Sequence, residues 1–168
     1  MKAINLKTEY LINPIGMDIR HPRLMWNCEG GTKQTAYRIV AKADEKTVWD
    51  SGKISSESMH ADYPNDLASR QRVEWNGTLW DEIDREGDSS ETAFFETGLL
   101  STSDFRAKWI SGNYRVSKKK RYPVDCFKKE FAACNVAKAR LYITACGLYE
   151  AMINGKRVGD FVLAPGHT

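Results

Sequence analysis

Paired carboxylates are the residues of this sequence best suited to acid–base chemistry. Three pairs lie close together along the chain: Asp81 with Glu82, Asp84 with Glu86, and Glu91 with Glu96. Acid–base catalysis by two carboxyl groups requires one group held protonated and the other ionised, which solvated carboxylates do not achieve at neutral pH. The pattern puts all three pairs in turns or on solvated strand faces. We therefore interpret them as charge-rich loops and predict no catalytic residue.

The cysteines and histidines indicate neither a nucleophile nor a metal site. Cys28, Cys126, Cys134 and Cys146 show no CxxC spacing and have no histidines at zinc-finger distances. No serine or cysteine lies in a GxSxG context. Each cysteine lies in or beside an apolar strand-like run, so we expect buried, reduced thiols, no disulfide, no metal and no cofactor.

Aromatic rings are the second class of candidate, because sugar-binding modules stack pyranose rings on tryptophan and tyrosine. Most of the five tryptophans fall on strand faces that the alternation directs inward, which favours core packing. For Trp80 and Trp109 the pattern leaves both interpretations open, core residue or sugar contact.

One basic cluster spans residues 115–121, with Tyr114 and Tyr122 on either side. Tyrosines interleaved with Lys and Arg are typical of some nucleic-acid patches. However, the net charge of +3 is small, Pro123 follows the cluster, and no recognition helix or aromatic-rich strand motif accompanies it. We interpret the cluster as a solvated loop between two domains and predict no nucleic-acid partner.

Two-residue periodicity predicts β-strands in the last thirty residues of the chain. The residues before Gly147 and after it alternate in polarity, and Asn154-Gly155 supplies the two positive-φ positions of a type I′ turn. The segment 156–163 then returns as the partner strand, and a further strand is predicted over 126–131. An isolated hairpin is marginally stable, so one apolar face must be covered by other structure.

The first hundred residues show short strands separated by turn signals, without a helix-period stretch between them. Six or seven such strands over about 100 residues are typical of an antiparallel β-sandwich. The polar run Ser101-Thr102-Ser103-Asp104 is suited to cap a single helical turn leading to Trp109. The alternation predicts a sandwich core made of Trp26, Tyr37, Ile39, Val73, Trp75 and Phe95.

Length and composition agree with a globular protein of one or two domains. The 168 residues are 42% hydrophobic and 28% charged, which argues against a disordered chain. No apolar run approaches the ~20 residues that span a bilayer, so no membrane partner is expected. Residues 1–16 lack the apolar core of a secretory signal, which predicts a cytoplasmic location unless a signal has been removed.

A series of phrases along the chain resembles the amino-terminal region of bacterial α-L-rhamnosidases. In order they are EYLINPIGMD, PRLMW, QTAYRIVAKA, VWDSGK, FFETGLL followed by AKWI, and ARLYITACGLYEAMINGKRVGDFVLAPGHT. The resemblance implies a fibronectin type III-like (immunoglobulin-like) sandwich over 1–105 and the opening portion of a second β-sandwich over 106–168. It also implies that the (α/α)6 catalytic barrel of the family lies outside this sequence.

The function implied by this resemblance is that of a non-catalytic accessory region in an enzyme that removes terminal α-L-rhamnose from glycosides or polysaccharides. Its expected partners are the downstream catalytic domain and rhamnose-containing glycans. Tyr149 and Asn154 could then border the catalytic cleft, although Asn154 fits simple turn chemistry better. The alternative is a free-standing carbohydrate-binding or protein-interaction module.

The dipeptide Asn76-Gly77 alone predicts a hairpin turn, but the resemblance places it inside a strand. A turn there would prevent Trp75 and Leu79 from sharing one strand face, so we predict a continuous strand in which Gly77 marks a bulge or weak point. In the second region, Leu141, Ile143, Tyr149, Ile153 and Val162 lack partner strands. We therefore expect a homodimer or an edge-paired association of this chain.

Overall fold

The computed structural model describes residues 1–115, 117, 119–160 and 162–165. The chain forms two compact units, Met1–Ile110 and Ser111–Thr168. Each unit is described by itself below. The described residues contain no α-helix, and a 3-10 helix over Thr102–Asp104 ends the regular structure of the first unit. Ser101, the first residue of the polar run predicted to cap a helical turn, caps it by accepting a hydrogen bond from the backbone N–H of Ser103.

Nine strands build the first unit. In chain order they are β1 (Lys2–Thr8), β2 (Ile15–Met17), β3 (Arg23–Glu29), β4 (Ala36–Ala43), β5 (Lys46–Asp50), β6 (Ile54–Ser55), β7 (His60–Asp62), β8 (Arg72–Trp80) and β9 (Ala93–Thr97). One sheet has the order β1-β3-β7, and the other has the order β2-β9-β8-β4-β5, with β6 also paired to β4. Buried residues from both sheets share one hydrophobic core. The predicted all-β, immunoglobulin-like sandwich is confirmed.

Alternation along the strands produces this core. In β8, Val73, Trp75 and Leu79 are all buried, and in β4 the buried Ile39 is followed two residues later by the buried Ala41. Five of the six predicted core residues are fully buried. The sixth, Tyr37, is only partly buried and packs its ring edge-on against Trp26 at a centroid distance of 5.1 Å.

The turn between β1 and β2 moves the chain from one sheet to the other. Glu9 and Tyr10 adopt positive φ, and β1 ends just before them at Thr8. The Glu9 carboxylate accepts hydrogen bonds from the backbone N–H of Arg23 at 2.6 Å and from its guanidinium at 3.3 Å. After this turn, β2 pairs with β9 in parallel. The other strand pairs described for this unit are antiparallel, as predicted.

Asn76 and Gly77 lie inside β8, as predicted, and not in a turn. Gly77 pairs with Ile39 in an uninterrupted register, so the expected bulge is absent. A Cβ at position 77 would lie 3.3 Å from the Ile39 Cδ1 atom and 3.6 Å from the Cβ of Ala3 in the facing sheet. The tighter of these contacts is with the Ile39 side chain of the neighbouring strand β4, which leaves little room for a side chain at position 77.

A short hairpin is the regular structure of the second unit within its described residues. It consists of β10 (Met152–Ile153) and β11 (Lys156–Arg157). Asn154 and Gly155 join them with φ values of 51° and 74°, which confirms the predicted type I′ turn. An isolated bridge outside this register pairs Tyr149 with Ala164, and the N–H of Tyr149 donates to the carbonyl of Ala164 at 2.8 Å.

The other strands predicted for the second unit are wrong. Residues 126–131 and 141–145 are not in strands, and most of them are exposed. A strand needs a neighbour that pairs with its backbone groups and a layer that covers its apolar side, and the described part of this unit supplies neither for these residues.

Association with a second copy stays a prediction. Leu141, Ile143, Ile153 and Val162 are all exposed, so the structure leaves their apolar surface open. Because uncovered apolar surface and unpaired strand edges favour association, we expect light scattering at micromolar concentration to report a mass above that of one chain. A strictly monomeric chain would contradict this expectation.

Candidate functional site

Asp81 organises the turn that follows β8. Its side chain is 1% exposed, and Oδ1 accepts hydrogen bonds from the backbone N–H groups of Arg85 at 3.0 Å and Ile83 at 3.2 Å. Oδ2 accepts one from the Arg85 guanidinium at 3.0 Å. The Arg85 backbone N–H, with these other donors, lowers the pKa of Asp81. Asp81 is therefore ionised and committed to the turn.

Glu82 is used in a similar way. Its carboxylate accepts hydrogen bonds from the backbone N–H groups of Thr32 at 3.0 Å and Lys33 at 3.3 Å, and the bond from Thr32 is the main cause of its lowered pKa. A general acid needs a raised pKa, so the Asp81 and Glu82 pair has the wrong electrostatics for that role. The interpretation of the carboxylate pairs as solvated is wrong for Asp81 and Glu96, which are both buried.

Trp80 lies at the end of β8 and is only 7% exposed. The Lys53 ammonium lies 4.9 Å from the centroid of its ring and also contacts Asp84, so one ring face is covered by a cation. The structure places Trp80 in a packed position. Contact between Trp80 and a sugar stays a prediction, and it would require Lys53 to move.

The other three predicted contact residues occupy more open positions. Trp109 lies near the end of the first unit and is 71% exposed. Tyr149 and Asn154 belong to the hairpin of the second unit, with the partly buried Tyr149 at its base and the exposed Asn154 in its turn. A role for any of them in binding a glycan stays a prediction.

The cysteines differ from their predicted environment. Cys126, Cys134 and Cys146 are exposed, because the strands expected to bury them are not formed. Cys28 is partly buried in β3, and this burial raises the pKa of its thiol. Within the described ranges, no group of His, Cys, Asp and Glu side chains is arranged to hold a metal ion.

Two tyrosines close the loop that carries the basic cluster. The rings of Tyr114 and Tyr122 stack with a centroid distance of 4.8 Å and an interplanar angle of 14°. The Tyr114 hydroxyl donates to both carboxylate oxygens of Asp125, at 3.0 and 3.1 Å, and this hydrogen bond raises the pKa of Tyr114. Lys118, one of the predicted basic residues, lies outside the described residues. The sequence shows both tyrosines beside the basic cluster, but only the folded loop shows that their rings stack.

The Tyr122 hydroxyl joins the two sides of the same loop. It accepts a hydrogen bond from the backbone N–H of Ser117 at 2.9 Å and donates one to the carbonyl of Arg115 at 3.1 Å. The loop is therefore closed at its base by side chains, not by a strand ladder. In the part of the chain covered by the structure, no helix has the length and apolar character needed to cross a membrane.

Two family models match the chain, in order along it. Residues 3–101 match the Rha78A-like N-terminal immunoglobulin domain, and residues 134–168 match the alpha-L-rhamnosidase N-terminal domain. Together they cover most of both compact units.

Similar proteins extend well beyond the length of this chain. An alpha-L-rhamnosidase of Formosa agariphila is 36% identical over 93% of this chain and 19% of its own length. An alpha-L-rhamnosidase of an Alteromonas species is 30% identical over 99% of this chain and 20% of its own length. The chain therefore spans about a fifth of the curated relatives it matches.

Solved structures of α-L-rhamnosidases also match this chain over only a part of their own length. The Streptomyces avermitilis alpha-L-rhamnosidase complexed with L-rhamnose superposes with a TM-score of 0.61 and 32% identity over 66% of this chain and 12% of that chain. An alpha-L-rhamnosidase from Aspergillus terreus covers 98% of this chain and 20% of its own, with a TM-score of 0.67. At 24% identity, this second likeness supports the fold alone.

Proposed function

Because this chain belongs to the family of Rha78A-like N-terminal immunoglobulin domains and is homologous to the amino-terminal region of α-L-rhamnosidases, we propose that it is the accessory region of such an enzyme. The observation that carries the proposal is the pair of family matches, in the order amino-terminal immunoglobulin domain and then rhamnosidase amino-terminal domain. Near-complete alignment of this chain to about a fifth of each relative supports the same conclusion.

In this proposal, the longer protein hydrolyses terminal α-L-rhamnose from glycosides or polysaccharides. That reaction uses two carboxyl groups, one as the acid and the other as base or nucleophile. Asp81 and Glu82 are adjacent, but both have a lowered pKa and both hold backbone turns. These properties support a division of labour in which the acid and its partner lie elsewhere in the longer protein.

The first unit has the properties of a rigid support. Its core joins both sheets, and Thr102–Asp104 is fixed to it because the Arg70 guanidinium donates to the Asp104 carbonyl at 3.1 Å and Ser69 contacts the Asp104 carboxylate. The exposed ring of Trp109 then follows within the same unit. We propose that the unit contacts the catalytic domain, and that Trp109 contributes to such a contact or to one with a rhamnose-containing glycan.

The 168-residue chain should release no 4-nitrophenol from 4-nitrophenyl α-L-rhamnoside above the buffer rate. The physical reason is that Asp81 and Glu82 both have a lowered pKa, whereas a glycosidase needs one carboxyl group held protonated as the acid. The measurement is absorbance against time at increasing chain concentration. The product of the coding sequence extended beyond residue 168 serves as the positive control and should be active.

A double variant, Asp81→Asn with Glu82→Gln, distinguishes real activity from a contaminant. Release that rises with chain concentration and disappears in this variant would show that the chain is itself a glycosidase, and the accessory role would then be wrong. An extended product that is also inactive on α-L-rhamnosides would contradict the proposed activity of the longer protein.

A further inference from the structure

The basic loop, residues 115–121, carries a high positive charge that is not evident from the net charge of the whole chain. Between residues 111 and 130 there are seven Lys and Arg and two acidic residues, a local net charge of +5 in a chain of net charge +3. The remainder of the chain is therefore slightly acidic. A positive field of this kind, confined to one short segment, attracts polyanions at long range.

Four cations of the basic loop lie within the described residues, and they are exposed and unpaired there. Arg115, Lys119, Lys120 and Arg121 are exposed, and none of them has an acidic partner at ion-pair distance among the residues that the structure describes. Elsewhere in the same unit, Lys128 pairs with Glu130 at 2.6 Å and Arg157 pairs with Glu150 at 3.6 Å. The nearest acid by sequence, Asp125, is instead bound by the Tyr114 hydroxyl.

The loop also holds these charges together. The Tyr114 and Tyr122 stack closes its base, and the backbone N–H of Lys120 donates to the Ser117 carbonyl at 3.2 Å to form a turn at its tip. Tyr122 joins the two sides through Ser117 and Arg115. Like charges held close together repel one another, and a bound polyanion removes that repulsion.

We propose that the basic loop binds a polyanionic glycan, one that carries carboxylate or sulfate groups. The inference rests on the proposed function, because an accessory region of a rhamnosidase meets polysaccharides, and it adds the charge class of the glycan. Binding to nucleic acid is disfavoured because the two tyrosine rings stack on each other and their hydroxyls bond within the unit, whereas single-strand binders present rings on which bases stack.

The test compares two matched double variants of the full 168-residue chain. Lys119→Ser with Lys120→Ser removes two cations of the basic loop, and Lys42→Ser with Lys46→Ser removes two exposed cations from β4 and β5. The probes are polygalacturonate, dextran sulfate, neutral dextran and a short single-stranded DNA. Affinity is measured between about 50 and 200 mM salt, a range over which counterion release weakens polyanion binding steeply.

Wild-type chain is expected to bind polygalacturonate or dextran sulfate and not neutral dextran. The acidic polysaccharide that binds more tightly shows whether the preferred anionic group is carboxylate or sulfate. The basic-loop variant should bind roughly tenfold more weakly, and the control variant within about twofold of wild type. Tyr122→Phe keeps every charge but removes both loop-closing hydrogen bonds, and it should also weaken binding. Thermal unfolding of each variant verifies that it is folded.

Three outcomes would overturn the inference: no affinity for either acidic polysaccharide at the lower salt concentration, an equal loss in both double variants, or tighter binding to DNA than to both polysaccharides. None of them affects the activity assay of the extended protein, which uses a small uncharged rhamnoside. Failure of this inference can therefore be distinguished from failure of the proposed function.

Discussion

Replacing Trp75 by alanine is expected to lower the free energy of unfolding of the first unit by about 3–5 kcal/mol. Trp75 lies in β8 and is 1% exposed. Its strand neighbours are Ala41 on one side and Ala93 on the other, whose small side chains leave room for the indole ring. Truncation would leave a cavity that the two sheets cannot fill. Denaturant unfolding followed by far-ultraviolet circular dichroism measures the change.

The environment of the Trp75 indole nitrogen allows a second substitution, Trp75→Phe, to be predicted. It is buried without a hydrogen-bond partner, so the ring stabilises the fold through packing alone. Trp75→Phe should therefore retain a large part of the stability that Trp75→Ala loses. Trp109→Ala, at a ring that is mostly exposed, should change stability by less than about 0.5 kcal/mol. A loss below about 1 kcal/mol for Trp75→Ala would contradict its place in the core.

The first sandwich could be predicted well because its information is local. In an antiparallel strand with one face in the core, residue type alternates with a period of two, and the alternation around Ile39 and Trp75 is visible without knowledge of any partner. Leu24 and Trp26 mark β3 in the same way. The placement of these residues depends only on which face of the strand is buried, and the alternation in the sequence shows that face.

Features that depend on distant partners could not be predicted. The parallel pairing of β2 with β9 joins residues about 80 positions apart in sequence, and nothing near β2 indicates it. Gln34 and Asp81 are polar residues of types that usually lie on the surface. Each is nevertheless buried, because its hydrogen-bonding partners lie beside it in the folded chain. Local patterns do not encode those partners.

The second unit separates local from non-local signals most clearly. The Asn154-Gly155 turn was predictable because its geometry depends on two residues. The strands around Leu141 and Ile143 were not, because a strand forms only where another strand pairs with it. In the basic loop, residue types were visible in the sequence, whereas the ring stacking and the absence of acidic partners for its described cations required the structure.

Replacing Gln34 by leucine is expected to lower the free energy of unfolding by about 2–4 kcal/mol. The Gln34 side chain is buried, and its carbonyl oxygen accepts a hydrogen bond from the Trp26 indole N–H at 2.9 Å. Its amide nitrogen donates to the carbonyls of Ser56 at 3.0 Å and Ser58 at 2.8 Å. Leucine fills a similar volume but leaves the buried indole N–H and both carbonyls without this partner. Equilibrium denaturant unfolding measures the loss.

A double-mutant cycle with Trp26→Phe tests that explanation, because phenylalanine has no N–H to leave unpaired. The Gln34→Leu substitution should cost about 1–2 kcal/mol less in the Trp26→Phe background than in wild type. Asn65→Leu is the matched control, since the Asn65 amide is exposed and donates a hydrogen bond to the Val48 carbonyl at 2.7 Å, and its loss should cost less than about 1 kcal/mol. If Gln34→Leu had the same effect with and without the indole N–H, the stabilisation would come from the Ser56 and Ser58 bonds or from side-chain shape, and the assignment to the Trp26 hydrogen bond would be wrong.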